Sequence, residues 1–146
     1  MPDLSKRAAL IEQMDDLQAS GADLHRALYE LDKINFILGG NYVTLNGIDM
    51  LLKRYGNGTP LHIADLGCGS GDILRRIRSR TAKHNIDAVL TGFDANPNVI
   101  NYAIAHTPAR CCIRYEPVNI FSEDFKRRRF DIVTGTLFFH HFTNEE

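Results

Sequence analysis

Two hydrophobic periodicities divide the chain. Through residue 55, apolar positions recur every three or four residues: Ala8, Ile11, Met14 and Leu17, then Leu24, Leu28, Leu31, Ile34 and Leu38. That spacing is helical. Ser20-Gly21 separates a first helix from a second, Gly39-Gly40 closes the second, and Asn41 stands where it can cap a third running through Tyr55. Gly56-Asn57-Gly58-Thr59-Pro60 is a turn cluster. From Leu61 onward, short apolar runs alternate with helical stretches. Strands are predicted over 61–66, 88–93 (ending at Asp94), 113–118 and 130–137. A helix is predicted over 72–84 with Ile73, Leu74 and Ile77 inward, and another through Ala105, started by an Asn96 cap and Pro97. Alternation of this kind implies an α/β fold, a doubly wound parallel sheet with helices on both faces. The division is a helical leader over 1–56 and a sheet domain over 57–146.

The pattern becomes chemical at Leu61–Asp72, which reads Leu-His-Ile-Ala-Asp-Leu-Gly-Cys-Gly-Ser-Gly-Asp. An apolar run leads into three alternate glycines and then into helical periodicity. Glycine lets a ligand lie against the main chain, and the first N–H groups of the following helix point into the same space. Strand, glycine turn and helix together describe a nucleotide or nucleoside cradle. The dinucleotide fingerprint spaces its glycines Gly-x-Gly-x-x-Gly, whereas this chain has Gly-x-Gly-x-Gly with Asp65 two residues earlier.

Asp65-Leu66-Gly67-Cys68-Gly69-Ser70-Gly71 resembles motif I of the class I S-adenosylmethionine (AdoMet)-dependent methyltransferases, (D/E)-x-G-x-G-x-G. The resemblance implies a Rossmann-like sheet, AdoMet as cofactor, and cofactor contacts from Asp65, Gly67, Cys68, Gly69 and Gly71. Asp65 would hold the turn or meet the methionine ammonium through water. Asp94 closes the second strand, where an acidic group can accept from both ribose hydroxyls; its alternative role is to cap the next helix. Gly92-Phe93-Asp94-Ala95-Asn96 matches motif II of the family, which adds Ala95 and Asn96 as cofactor contacts. Asn119-Ile120-Phe121 falls where the family places a polar residue near the adenine amino group and apolar ones against the ring. Asn119 alternatively caps its loop.

Gly135-Thr136-Leu137-Phe138-Phe139-His140-His141-Phe142 resembles motif IV and its loop in small-molecule methyltransferases, including quinone-biosynthesis-like members. The resemblance puts Thr136 near the cofactor's methionine part and makes His140 or His141 a general base toward an acceptor hydroxyl. The rival reading packs one imidazole and leaves the other in solvent. In the leader, Asn35-Phe36-Ile37-Leu38-Gly39-Gly40-Asn41-Tyr42 is similar to a segment preceding motif I in some relatives. It implies a lid with Tyr42 reaching toward the cofactor, set against plain packing.

Composition narrows the rest. A chain of 146 residues, 44% hydrophobic and 24% charged, has the make-up of one globular domain. Its net charge of −1 offers no bulk attraction to nucleic acid or an anionic membrane. No apolar run approaches the ~20 residues that span a bilayer, and Met1–Arg7 lacks the apolar core of a secretion signal. A cytoplasmic protein is expected. Lys126-Arg127-Arg128-Arg129, the one basic run, reads as a solvated turn. The three cysteines fit no metal spacing and no metal is expected; Cys111 and Cys112 should point to opposite faces of a strand.

The resemblance covers the first four strands of a seven-stranded domain plus the leader, so the chain is expected to be a piece of a longer protein or a shortened one. A fourth strand left as an apolar edge would favour pairing with a second copy, a homodimer. The expected activity is AdoMet-dependent methyl transfer to a small aromatic or quinone-like acceptor. Its rivals are an AdoMet-binding or assembly module without turnover, and an NAD(P)-dependent oxidoreductase, which would want the other glycine spacing.

Overall fold

The computed structural model describes residues 18–55 and 58–136. Two helices, α1 (Gly21–Ile37) and α2 (Gly40–Leu52), precede an alternating series. The series runs β1 (Leu61–Leu66), α3 (Asp72–Lys83), β2 (Ala88–Asp94), α4 (Pro97–Ala105), β3 (Ile113–Pro117), α5 (Glu123–Lys126) and β4 (Ile132–Thr134). The four strands are parallel in the order β3-β2-β1-β4. β1 is therefore flanked on both sides, and its burial at every position but His62 explains its mainly apolar sequence.

Strand alternation sorts the core into two layers. Leu61 and Ile63 of β1 and Ala88 and Leu90 of β2 meet Leu45, Ile48 and Leu52 of α2, Ile73, Leu74 and Ile77 of α3, and Ile100 of α4. On the opposite face Ala64, Leu66 and Phe93 are met by Val118, Ile120, Phe125 and Phe130. Among the described residues, α2, α3 and α4 thus pack into one layer, and the other face carries the short α5 and its neighbours. Arg128 closes that second layer: its guanidinium lies 5.3 Å from the Phe93 ring centre and bonds Glu116 at 2.6 Å. The predicted basic turn is partly a lid over aromatic rings.

The leader differs from expectation. α2 starts at Gly40, with Gly39 at φ +71°, and ends at Leu52. Asn41 does not cap it; the side chain is buried and donates through Nδ2 to Asp72 Oδ2 at 2.8 Å. The stripe of α1 is only half covered, because Leu24 and Leu28 pack on Val99 and Tyr102 of α4 while Ile34 and Leu38 stay exposed. The helix predicted over Ala8–Leu17 lies outside the described residues. Cys111 and Cys112 precede β3: Cys111 ends a 3₁₀ turn and Cys112 takes φ +49°, so opposite strand faces do not apply. β4 is shorter than the predicted 130–137.

Two glycines separate packing from propensity. A Cβ on Gly92 would lie 2.8 Å from Leu74 Cδ1 and Tyr115 Cδ1 and 2.9 Å from Cys68 Sγ, whereas one on Gly47, inside α2, would meet nothing within 4 Å. Gly92→Ala is expected to lower unfolding free energy by about 1–3 kcal/mol from overpacking. Gly47→Ala should raise it by about 0.5–1 kcal/mol through backbone entropy. Urea unfolding of the two variants checks both signs.

Candidate functional site

The residues singled out at Asp65–Gly71 and Asp94 converge at the tips of β1 and β2, where Leu66 pairs with Phe93. Past Leu66 the chain turns through Gly67, Gly69 and Gly71 at φ +61°, +51° and +79°. Three left-handed residues at alternate positions are tolerable only for glycine. The turn is fastened to the sheet by Cys68 N–H donating to Phe93 O at 2.9 Å and closed by Gly71 N–H donating to Cys68 O at 2.9 Å. Beside it, the half-buried Asp94 carboxylate accepts from Asn96 N–H at 3.0 Å, and the backbone N–H groups of Gly69 and Ala95 lie near enough to favour its charged form. Burial pushes the Asp94 pKa up, and those three donors oppose the shift. A side chain on Gly69 would meet only a Leu28 methyl, at 3.9 Å, so backbone is presented to the space above the turn.

Asp65 is 2% exposed and accepts at Oδ1 from Thr134 Oγ1 at 2.7 Å. Burial lifts its pKa to about 6, the Thr134 hydroxyl works against that lift, and the nearby Asp94 charge adds to it. Its first role is to join the tips of β1 and β4. Thr136, just past β4, has its hydroxyl 2.7 Å from that of Thr44 on α2. The leader therefore reaches the tip of β4 as well as the turn, and it holds the turn at a second place. Ser70 Oγ donates to Asp32 Oδ1 of α1 at 2.6 Å, and Arg75 Nη1 donates to Ser70 O at 2.6 Å.

Several residues expected at the cofactor also have partners within the protein. Cys68 packs in the core against the space left by Gly92, and its N–H and C=O both serve the turn, so it is framework. Asn96 is buried; its Oδ1 accepts from Asn98 N–H at 2.8 Å as the α4 cap, and its Nδ2 donates to Ala19 O at 3.0 Å. Ala95 is exposed beside Asp94. Asn119 is exposed and accepts from Phe121 N–H at 2.9 Å, which is the loop cap. Ile120 packs into the second core layer, and Phe121 is 39% exposed at that loop's surface.

Tyr42 stands on the outer flank of α2. It is 70% exposed and lines a hollow of about 270 Å³ with Phe36, Asn46, Asp49, Arg76 and Arg80, between the α1–α2 hairpin and the flank of α3. Asn41, Leu45, Ile48 and Leu52 take the buried stripe of α2, which rotates Tyr42 onto the flank facing Arg76. His140 and His141 lie outside the described residues. The sequence reading missed Asp32, Thr44, Ser70 and Thr134. Of these only Ser70, within the glycine motif, carried any local signal.

Residues 63–146 match the methyltransferase-domain family, and the chain belongs to it. Among solved structures it is similar to the plantazolicin methyltransferase BpumL in complex with SAH, at 22% identity and TM-score 0.56, over 82% of this chain and 44% of that one. It is also similar to the same enzyme with a triazolic desmethylPZN analog and SAH, at 20% identity and TM-score 0.50, over 74% and 39% of the two chains. The chain thus spans less than half the length of these structures, which share its fold. No curated protein matches it at a significant level. No helix among the described residues is long and apolar enough to cross a membrane.

The Asp65 shift has a measurable consequence. Its folded pKa, about 6, lies above the ordinary 3.8. Its stabilising contribution is therefore complete below pH 3.8 and is lost as pH rises through about 6. Asp65→Asn keeps an acceptor for Thr134 and carries no charge. Relative to wild type, this variant should gain about 2.4 kcal/mol between pH 4 and pH 7.5. Paired urea denaturation at the two pH values measures that difference; equal pH profiles would contradict it.

Proposed function

We propose that the chain is the donor-binding part of an AdoMet-dependent methyltransferase acting on a small acceptor, of the aromatic or quinone-like kind its loop sequence resembles. The observation that carries the reading is a left-handed glycine turn fastened, through Cys68 N–H to Phe93 O, directly beside the Asp94 carboxylate at the neighbouring strand tip. Those residues fit the cofactor. The bare backbone at Gly69 suits its amino acid part, and Asp94, already aimed at the turn, suits two ribose hydroxyls. Phe121 would lie against the adenine.

Charge supports a cationic ligand over a dinucleotide. Asp65 and Asp94 lie close enough for one to raise the pKa of the other. A pyrophosphate on this turn would lie beside Asp94 with the Asp65 charge behind it, whereas a sulfonium bearing an ammonium would relieve that potential. When bound, AdoMet supplies a methyl group on a leaving sulfur that is already activated. The protein then has to hold donor and acceptor in line and keep water out. Thr136 and the residues that follow it, His140 and His141 among them, would face the acceptor, with one imidazole taking the hydroxyl proton.

Isothermal calorimetry tests the reading on the intact chain. S-adenosylhomocysteine is expected to bind at one site. Asp94→Ala should weaken it by about 100-fold or more, the worth of two charge-assisted hydrogen bonds, and NADH should give no heat. Equal binding by wild type and Asp94→Ala, or tighter binding of NADH, would sink it.

A further inference from the structure

We propose that Asp32 of α1, which lies outside the stretch matching the methyltransferase family, is a positioning residue that fixes the Ser70 peptide in the conformation that receives the cofactor. This rests on the reading that the glycine turn holds AdoMet.

Ser70 sits between Gly69 and Gly71, both left-handed. A Gly-Ser-Gly segment has more backbone freedom than almost any other tripeptide, and that freedom opposes any single ligand-ready shape. Two side chains remove it here. Asp32 Oδ1 takes the Ser70 hydroxyl at 2.6 Å, and Arg75 Nη1 takes the Ser70 carbonyl at 2.6 Å. Ser70 is only 4% exposed, so neither bond competes freely with water. Arg75 Nη2 lies 3.8 Å from Asp32 Oδ2, which closes the three residues into one clamp. The Ser70 hydroxyl also accepts from Asp72 N–H at 3.3 Å, carrying the restraint into the first turn of α3.

The clamp needs a rigid seat, and α1 has one. Leu24 and Leu28 are buried against Val99 and Tyr102, and Leu28 is the side chain nearest the missing Cβ of Gly69. Helix α1 therefore fixes where Asp32 stands, and Asp32 fixes where the Ser70 peptide stands. A turn ordered before the ligand arrives leaves less ordering cost to oppose binding. The leader is on this view a working part of the donor site, acting through the outer side of the turn while Asp94 acts through the inner one.

The test is S-adenosylhomocysteine affinity, by calorimetry on the full chain, for wild type, D32A, D32N, S70A and D32A/S70A, with melting temperatures in parallel. D32A and S70A should each weaken binding about tenfold, in keeping with one charge-assisted hydrogen bond. D32N, which keeps an acceptor oxygen, should stay within about threefold of wild type. The double variant should be no weaker than the weaker single, since both remove one interaction. Unchanged affinity in D32A with a lowered melting temperature would overturn the proposal, as would independent, multiplying losses in the double variant. If D32A does not fold, S70A and D32N decide: loss in S70A with retention in D32N supports the proposal, and wild-type affinity in S70A overturns it. No binding by wild type would instead overturn the donor-site reading itself, and the role of Asp32 with it.

Discussion

The structure depends on how the chain reverses from β1 into α3. Five residues, Gly67–Gly71, must leave the sheet, keep backbone facing outward and enter a helix in register. Three of them do so at positive φ. The cost of that geometry is set on the neighbouring strands as well as on the turn. Tyr115 of β3 reaches under β2 to occupy the space a side chain on Gly71 would need, and its ring edge also fills the space beside Gly92. Its hydroxyl then pairs with Thr107 at 2.9 Å. Glycines in the turn and in β2 are thus one requirement: together they let the sheet close up beneath a turn that offers only main chain above.

Electrostatics at the strand tips follow from the same closeness. Fastening the turn to β2 brings Asp65 and Asp94 into one small, poorly solvated region. Neither carboxylate has a cation beside it among the described residues. Hydroxyl and backbone N–H donors compensate them instead: Thr134 for Asp65, and Gly69, Ala95 and Asn96 for Asp94. Hydrogen bonds of this kind hold a carboxylate in place without neutralising it. The region keeps negative potential, while the arginines of α3 face other partners: Arg75 the Ser70 carbonyl, Arg76 Asp72, Arg80 Asp49 and Arg78 the Cys111 carbonyl.

What was legible in the sequence was whatever rests on local physics. The bounds of β1, α3, β2 and α4 could be read because apolar runs, the glycine turn and the Asn96-Pro97 start act within a few residues of themselves. The misreadings share a different cause. Asn41 has the chemistry of a cap, but a partner at Asp72 on another helix claims its amide. Tyr42 sits in a segment similar to a lid, yet the burial of Leu45 and Ile48 decides which way α2 faces. Cys111 and Cys112 read as strand because nothing local announces the turn at Ala109–Cys111. Asp32 and Thr44 looked like ordinary helix-surface residues, and only tertiary placement gives them Ser70 and Thr136.

Those two pairings show how the leader relates to the sheet domain. Asp32 meets the turn after β1, and Thr44 meets the exit of β4. Between them Asn41 meets Asp72 at the start of α3. Three polar joints from two consecutive helices straddle the tips of adjacent strands, so the hairpin cannot shift without altering the turn, the β4 exit, or both. The turn-and-carboxylate pair is generic chemistry for gripping a nucleoside. A hairpin tied to both sides of that pair can adjust the grip and the approach to it together, and it lies largely outside the family's shared stretch.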